Sequence, residues 1–131
     1  MTLNNNLYHI LGCKTLEKQA LYTVGLLADC PIYRAHFPSQ PITPGVCLVQ
    51  MAVELLSCEL GTPLELARVK NVKFLSVVSP EASPRLTVTL SLPAADTEGA
   101  EIACSATIAD GERVMTKISM FCQKKQSAYT D

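Results

Sequence analysis

His36-Phe37-Pro38-Ser39-Gln40-Pro41-Ile42-Thr43-Pro44-Gly45, running into Val46-Cys47-Leu48-Val49-Gln50-Met51-Ala52-Val53-Glu54-Leu55-Leu56-Ser57-Cys58-Glu59-Leu60, is the stretch from which the fold can be read. Pro38, Pro41 and Pro44 fix φ and remove backbone donors, so residues 37–44 are expected to form a stiff, extended lead-in. Thr43 suits an N-cap, Pro44 suits the first helical position, and Gly45 lets another backbone or a ligand come close. The helix that follows is apolar around most of its circumference, and Gly61 is a natural residue to close it. A helix of that kind is buried, in a membrane or in a protein core. At about fifteen residues, with Gln50 and Glu54 inside it, this one is too short and too polar to span a bilayer. It is expected to be a core helix with the rest of the chain wrapped around it.

Working outward, the flanks read as strands. Leu7 to Lys14 is a short mixed segment, and Ala20 to Leu27 alternates through Tyr22, Val24 and Leu26. Pro31 to Ala35 suits one helical turn or an irregular loop. Beyond the helix, Ala67 to Val78 is rich in Val and Phe, and Ser79-Pro80-Glu81-Ala82-Ser83-Pro84 is a loop. Leu86, Val88, Leu90 and Leu92 alternate with Thr87, Thr89 and Ser91, the pattern of a sheet with one buried face. Pro93 to Gly99 reads as a turn. Glu101 to Ala109 alternates again, Asp110-Gly111 is a hairpin signal, and Arg113 to Cys122 supplies a last strand. Residues 123–131 are a polar tail, expected to fray. The sum is about six strands and one long buried helix, an α+β layer solution, with four strands after the helix expected to run as a meander. A single-layer sheet leaves edges exposed, so a homodimer joined through a sheet edge is expected.

The 131 residues suit one domain, 1–131. Eleven basic residues against twelve acidic ones, scattered along the chain, leave no nucleic-acid footprint. Met1 to Asn6 carries neither a basic nor an apolar signal region, which makes the cytoplasm the expected location and a membrane partner unexpected. Cys13, Cys30, Cys47, Cys58, Cys104 and Cys122 show no CxxC pair and no zinc spacing, so they are expected to be free structural thiols. No metal or organic cofactor is implied, since neither a ligand cluster nor a phosphate-binding glycine loop is present.

The residues His36-Phe37-Pro38, the Pro41-Ile42-Thr43-Pro44-Gly45-Val46 stretch and the helix after them resemble the active-site segment of the 3-hydroxyacyl-[acyl-carrier-protein] dehydratases of type II fatty acid synthesis. The resemblance implies the hotdog fold, a central helix wrapped by an antiparallel sheet. It also implies reversible loss of water from a 3-hydroxyacyl thioester carried on acyl-carrier protein or coenzyme A. His36 would be the histidine that moves the α-proton. Gly45 and the Val46 amide would receive the thioester carbonyl, with Phe37 and Pro44 beside the substrate. In that family the histidine and a helix acid come from opposite protomers. The acid's position is occupied here by Gln50, and Glu54 stands one turn beyond, as though the two had been exchanged. Gln50, Glu54 and Ser57 fall on one polar stripe of the helix. The expectation is that Glu54 acts directly or through a water while Gln50 orients the substrate.

Two further readings are compatible with the same residues. The domain could bind acyl thioesters without chemistry, or serve as the inactive partner of an active relative in a heterodimer. It could also be a hotdog thioesterase with Glu54 as the carboxylate. The apolar wall of the helix suits a tunnel for an aliphatic or polyene chain.

Overall fold

The computed structural model describes residues 2–35, 39–93 and 101–125. His36, Phe37 and Pro38 lie outside these, as do most of the turn expected at Pro93 to Gly99 and residues 126–131 of the tail. The element order is β1 (Tyr8–Thr15), β2 (Gln19–Leu26), α1 (Ile32–Ala35), α2 (Gly45–Leu60), β3 (Leu64–Phe74), β4 (Arg85–Ser91), β5 (Ile102–Asp110) and β6 (Arg113–Lys124). All six strands join one antiparallel sheet in the order β1-β2-β4-β5-β6-β3. The sheet wraps the long helix α2, which is the hotdog arrangement.

The alternating residues do what their spacing demands. Leu86, Val88 and Leu90 of β4, Tyr22 and Val24 of β2, and Cys104, Ala106 and Ile108 of β5 are all buried on the face that meets α2. From the helix, Leu48, Met51, Ala52, Val53, Leu55 and Leu56 complete the core. Gly61 closes α2 with φ 67; its N–H donates to Cys58 O and the Thr62 N–H to Ser57 O, the paired bonds of a Schellman motif. Ser57 then ties the helix to the next strand, donating to Val53 O and accepting from Leu64 N–H.

Four expectations are corrected. Thr43 is not the N-cap: its hydroxyl is paired with Tyr33 OH at 2.9 Å and its N–H donates to Val78 O. Pro44 takes the cap position with extended ψ (143°) and Gly45 becomes the first helical residue. The strands after the helix are not a simple meander, because β3 pairs with β6 at the far edge rather than with β4. The connection from Leu75 to Pro84, with two prolines, is too long for a hairpin and carries the chain past the amino end of α2. β3 begins at Leu64 and ends at Phe74, earlier at both ends than Ala67 to Val78. The polar tail also starts later than expected, since Gln123 and Lys124 belong to β6 and the Lys125 N–H donates to Pro63 O.

β1 and β3 are the two edges of the sheet. β3 carries two register shifts, at Leu66/Arg68 and Val69/Asn71, of the kind that bend a strand and blunt an edge. Its neighbourhood is nevertheless apolar: Leu66, Val69, Phe74, Leu75 and Val77 are exposed, together with Val46 on the first turn of α2.

Candidate functional site

The site is built around the amino end of α2. Cys47 N–H and Leu48 N–H both reach Pro44 O, at 3.0 and 3.2 Å. Among the described residues nothing accepts from Gly45 N–H or Val46 N–H, the two donors that precede them. Unpaired N–H groups at the positive end of a helix dipole are suited to a carbonyl oxygen that gathers negative charge. Val46 is 75% exposed, so this end of the helix is open to solvent or to a partner.

Gly45 has a second reason to be glycine. The ring of Phe74, at the end of β3, lies so close that a Cβ on residue 45 would sit 2.5 Å from its Cζ. Phe74 is itself 57% exposed, so an aromatic edge stands directly beside the open amides. Nothing in the sequence pattern marks Phe74 as a site residue; only the antiparallel return of β3 along the helix brings it there.

From the helix amino end a cleft of about 560 Å³ runs along α2, a size ordinary for small-ligand sites. Val46, Cys47 and Gln50 form the helix side, Ile32 of α1 contributes from above the first turn, and Leu64, Glu65 and Leu66 of β3 form the opposite wall. Leu3 and Lys125, from opposite ends of the chain, complete it. The walls are mainly apolar, and Gln50 is the polar helix side chain presented to the space. Burial, and then the nearby Cys30, push the Cys47 thiol above the ordinary cysteine range. It therefore stays protonated near neutral pH and contributes wall rather than nucleophile. Leu3, Ile32, Leu64 and Lys125 were not identified from the sequence, since no local motif distinguishes them.

Of the residues singled out by the sequence, Val46 and Gln50 line this cleft, with Gly45 as the first helical residue and Pro44 as the cap directly before them. His36 and Phe37 lie outside the described residues. Their flanks are held, since the Tyr33–Thr43 hydroxyl pair bridges the chain on either side of them.

Glu54 does not line the cleft. Its Oε2 accepts from Leu3 N–H at 2.8 Å and from Gln50 Nε2 at 3.2 Å, and its Oε1 accepts from Asn4 N–H and Tyr8 OH, both at 2.9 Å. Four donors meet one carboxylate, close to its full capacity. Burial, followed by the bond to Glu54, raises the Tyr8 phenol pKa, which keeps it a donor. Because a carboxylate only accepts, Gln50 must turn its Nε2 toward Glu54. Its carbonyl oxygen and remaining N–H are then left for whatever occupies the cleft. Among the described residues no cluster of His, Cys, Asp and Glu has a metal-binding arrangement, and no helix is long and apolar enough to cross a membrane.

Comparison with known proteins agrees with this architecture. A family model described as ApeI-like, ApeI dehydratase, matches residues 13–112. Among solved structures, the dehydratase heterocomplex ApeI:P from Xenorhabdus doucetiae is similar at 15% identity and TM-score 0.66, over 88% of this chain and 96% of that one. An uncharacterized protein from Pyrococcus horikoshii is similar at 13% identity and TM-score 0.64, over 96% and 88%. A hypothetical thioesterase from Streptococcus pneumoniae with coenzyme A is similar at 15% identity and TM-score 0.56, over 92% and 88%. No curated protein sequence matches the chain.

Proposed function

The chain belongs to the ApeI-like dehydratase family, and from that membership we propose that it removes water from 3-hydroxyacyl thioesters to give trans-2-enoyl thioesters. The observation that carries this reading is the pair of amides, Gly45 and Val46, that have no acceptor among the described residues and stand at the head of a mainly apolar cleft that offers Gln50 as a hydrogen-bonding group. The thioester carbonyl accepts from these amides, and the helix dipole stabilises the enolate-like oxygen. His36 takes the proton from Cα and returns it to the 3-hydroxyl. The Cα–H and C–O bonds break, the Cα=Cβ bond forms, and water departs. Gln50 holds the hydroxyl, while Phe37 and Pro44 border the substrate. Glu54 acts behind Gln50 by fixing the direction of its amide, rather than meeting the substrate itself. Coenzyme A thioesters are the first substrates to assay and acyl-carrier-protein thioesters the second.

The open apolar surface along β3 and around Val46 supports a second hotdog subunit there, a copy of this chain or a relative. Such a subunit would complete the cleft at its exposed mouth.

A second reading is favoured by one feature: the polar side chain that α2 presents to the cleft is an amide, and the carboxylate one turn further along the helix is taken up by four donors. On that reading the chain binds acyl thioesters as the non-catalytic partner of an active dehydratase. Hydration of crotonyl- and longer enoyl-thioesters by the purified chain, alone and with a related subunit, separates the two. Activity of the chain alone that His36→Ala lowers by about 10²–10⁴ supports the dehydratase. Activity only with the added subunit supports the partner role, and release of free thiol points instead to a thioesterase.

A further inference from the structure

We infer that Leu3, latched in place by Glu54, is the end wall of the acyl cleft and sets the length of chain it accepts. This inference rests on the acyl-thioester reading above. Leu3 is only 4% exposed, yet it lines the cleft. It belongs to a tight turn in which Asn6 N–H and Leu7 N–H donate to Leu3 O, Asn5 N–H donates to Tyr8 O, and Asn5 takes a left-handed φ of 68. Besides the burial of Leu3, Leu7 and Tyr8 in the core, the turn is tied to α2 by hydrogen bonds to one group. The N–H groups of Leu3 and Asn4 and the hydroxyl of Tyr8 all converge on the Glu54 carboxylate.

The position along the helix gives the turn its meaning. Glu54 lies eight residues beyond Val46, which at 1.5 Å per residue is about 12 Å down the helix axis. An acyl chain whose carbonyl sits at the Gly45 and Val46 amides runs past Gln50 and meets Leu3 within that distance, because Glu54 leans back toward Gln50 and its Oε2 takes both the Gln50 amide and the Leu3 N–H. Leu64, on the opposite wall, is anchored at the same end through Ser57. The same carboxylate thus fixes both the polar group beside the reacting carbons and the apolar stop at the far end. This also explains why a carboxylate stands at 54 and an amide at 50: only an all-acceptor group can receive two backbone N–H groups, a phenol and an amide at once.

The test is affinity of the full-length chain, by calorimetry, for saturated acyl-coenzyme A esters from butanoyl to tetradecanoyl, so that no turnover is needed. Leu3→Ala is expected to move the optimum to longer chains by about three methylenes, the three side-chain carbons it removes, with each newly housed methylene raising affinity roughly fourfold. Leu3→Phe is expected to move it to shorter chains. Glu54→Gln, which loosens the latch without touching the wall, is expected to flatten the length preference. Leu3→Val serves as a milder variant if thermal melts show that Leu3→Ala does not fold. Wild type that binds esters, with the same length profile in the Leu3 variants, overturns the inference and leaves the acyl-thioester reading standing. Wild type that binds none of the esters overturns both.

Discussion

Glu54→Gln is nearly isosteric and removes one charge, so it isolates what the carboxylate does. Tyr8 and Gln50 can adjust to an amide, the phenol by rotating to accept and the Gln50 amide by flipping. The two backbone donors cannot. Leu3 N–H faces Oε2 and Asn4 N–H faces Oε1, and an amide offers an oxygen at only one of those places. Whichever way it turns, one backbone N–H meets an NH₂ group, and the other keeps a neutral acceptor in place of a charged one. Hydrogen bonds to charged groups contribute about 1.5–3 kcal/mol, and an unmet donor costs about 1–3. The loss has a ceiling, because residues 2–7 can undock and hydrate their amides. Undocking exposes Leu3 and Leu7, and fully exposing one such side chain costs about 1.5–3 kcal/mol. The expected destabilisation is therefore about 2–3 kcal/mol in urea unfolding followed by circular dichroism, with hydrogen-exchange protection lost first at the Leu3 and Asn4 amides. Glu59→Gln provides the contrast. Among the described residues Glu59 accepts only from the hydroxyls of Thr15 and Tyr22, both free to rotate, so its cost should stay under about 1 kcal/mol. A Glu54→Gln variant within about 0.5 kcal/mol of wild type, with those two amides still protected, would refute the latch.

Gly45→Ala should lower enoyl-thioester hydration by about 10²–10³, as loss of an oxyanion donor does, because its methyl group crowds the amide pocket. Stability should change by less than about 1 kcal/mol, since the half-exposed Phe74 ring can swing aside and alanine suits a helix better than glycine. Burial pushes the thiols of Cys104 and Cys122 up to about 12 and about 11 from an ordinary 9.0, with Cys122 adding to the shift of Cys104. The unfolded chain therefore releases these protons first. Stability should be level below pH 9, then fall between pH 9 and 11–12 in denaturation curves taken across that range. At pH 8 a thiol reagent should label Cys13 and Cys58 quickly and these two only after unfolding. Val69→Lys, on the exposed β3 edge, should shift the chain toward monomer in light scattering without loss of fold, since an edge lysine discourages strand pairing.

The elements that could be read from the sequence are those whose signal is local. The alternation through Leu86, Val88 and Leu90 needs only the two faces of a sheet, and the apolar residues from Cys47 to Leu56 need only a core to enter. Gly61 needs only a left-handed residue after a helix. The hairpin was found but offset by one: Asp110 pairs with Arg113, and the turn residues are Gly111, with φ 61, and Glu112. A glycine at the first of two turn positions fits a type II′ turn better than the Asp-Gly form. What the sequence could not supply was partnership at a distance. Thr43 has the chemistry of an N-cap, but Tyr33 claims its hydroxyl. Glu54 shares a helical stripe with Gln50, yet three of its four partners lie about fifty residues earlier in the chain. Leu3 sits in a polar, unpatterned run, and Phe74 reaches Gly45 only because β3 runs back along α2 from Leu64. Of the candidate site, the helix positions Gly45, Val46 and Gln50 could be picked out as candidates from the sequence, and the walls of the cleft could not.

The placing of β6 between β5 and β3 has a consequence on the ribosome. β3 emerges well before the strand that will pair with it, and its other side has no neighbouring strand among the described residues. At about 5–20 residues per second the wait lasts on the order of seconds. Throughout that interval Val69, Val72 and Phe74 form a bare apolar ribbon. Nascent chains halted before Arg113 should accordingly be held by chaperones or aggregate, and release should coincide with the emergence of Lys124.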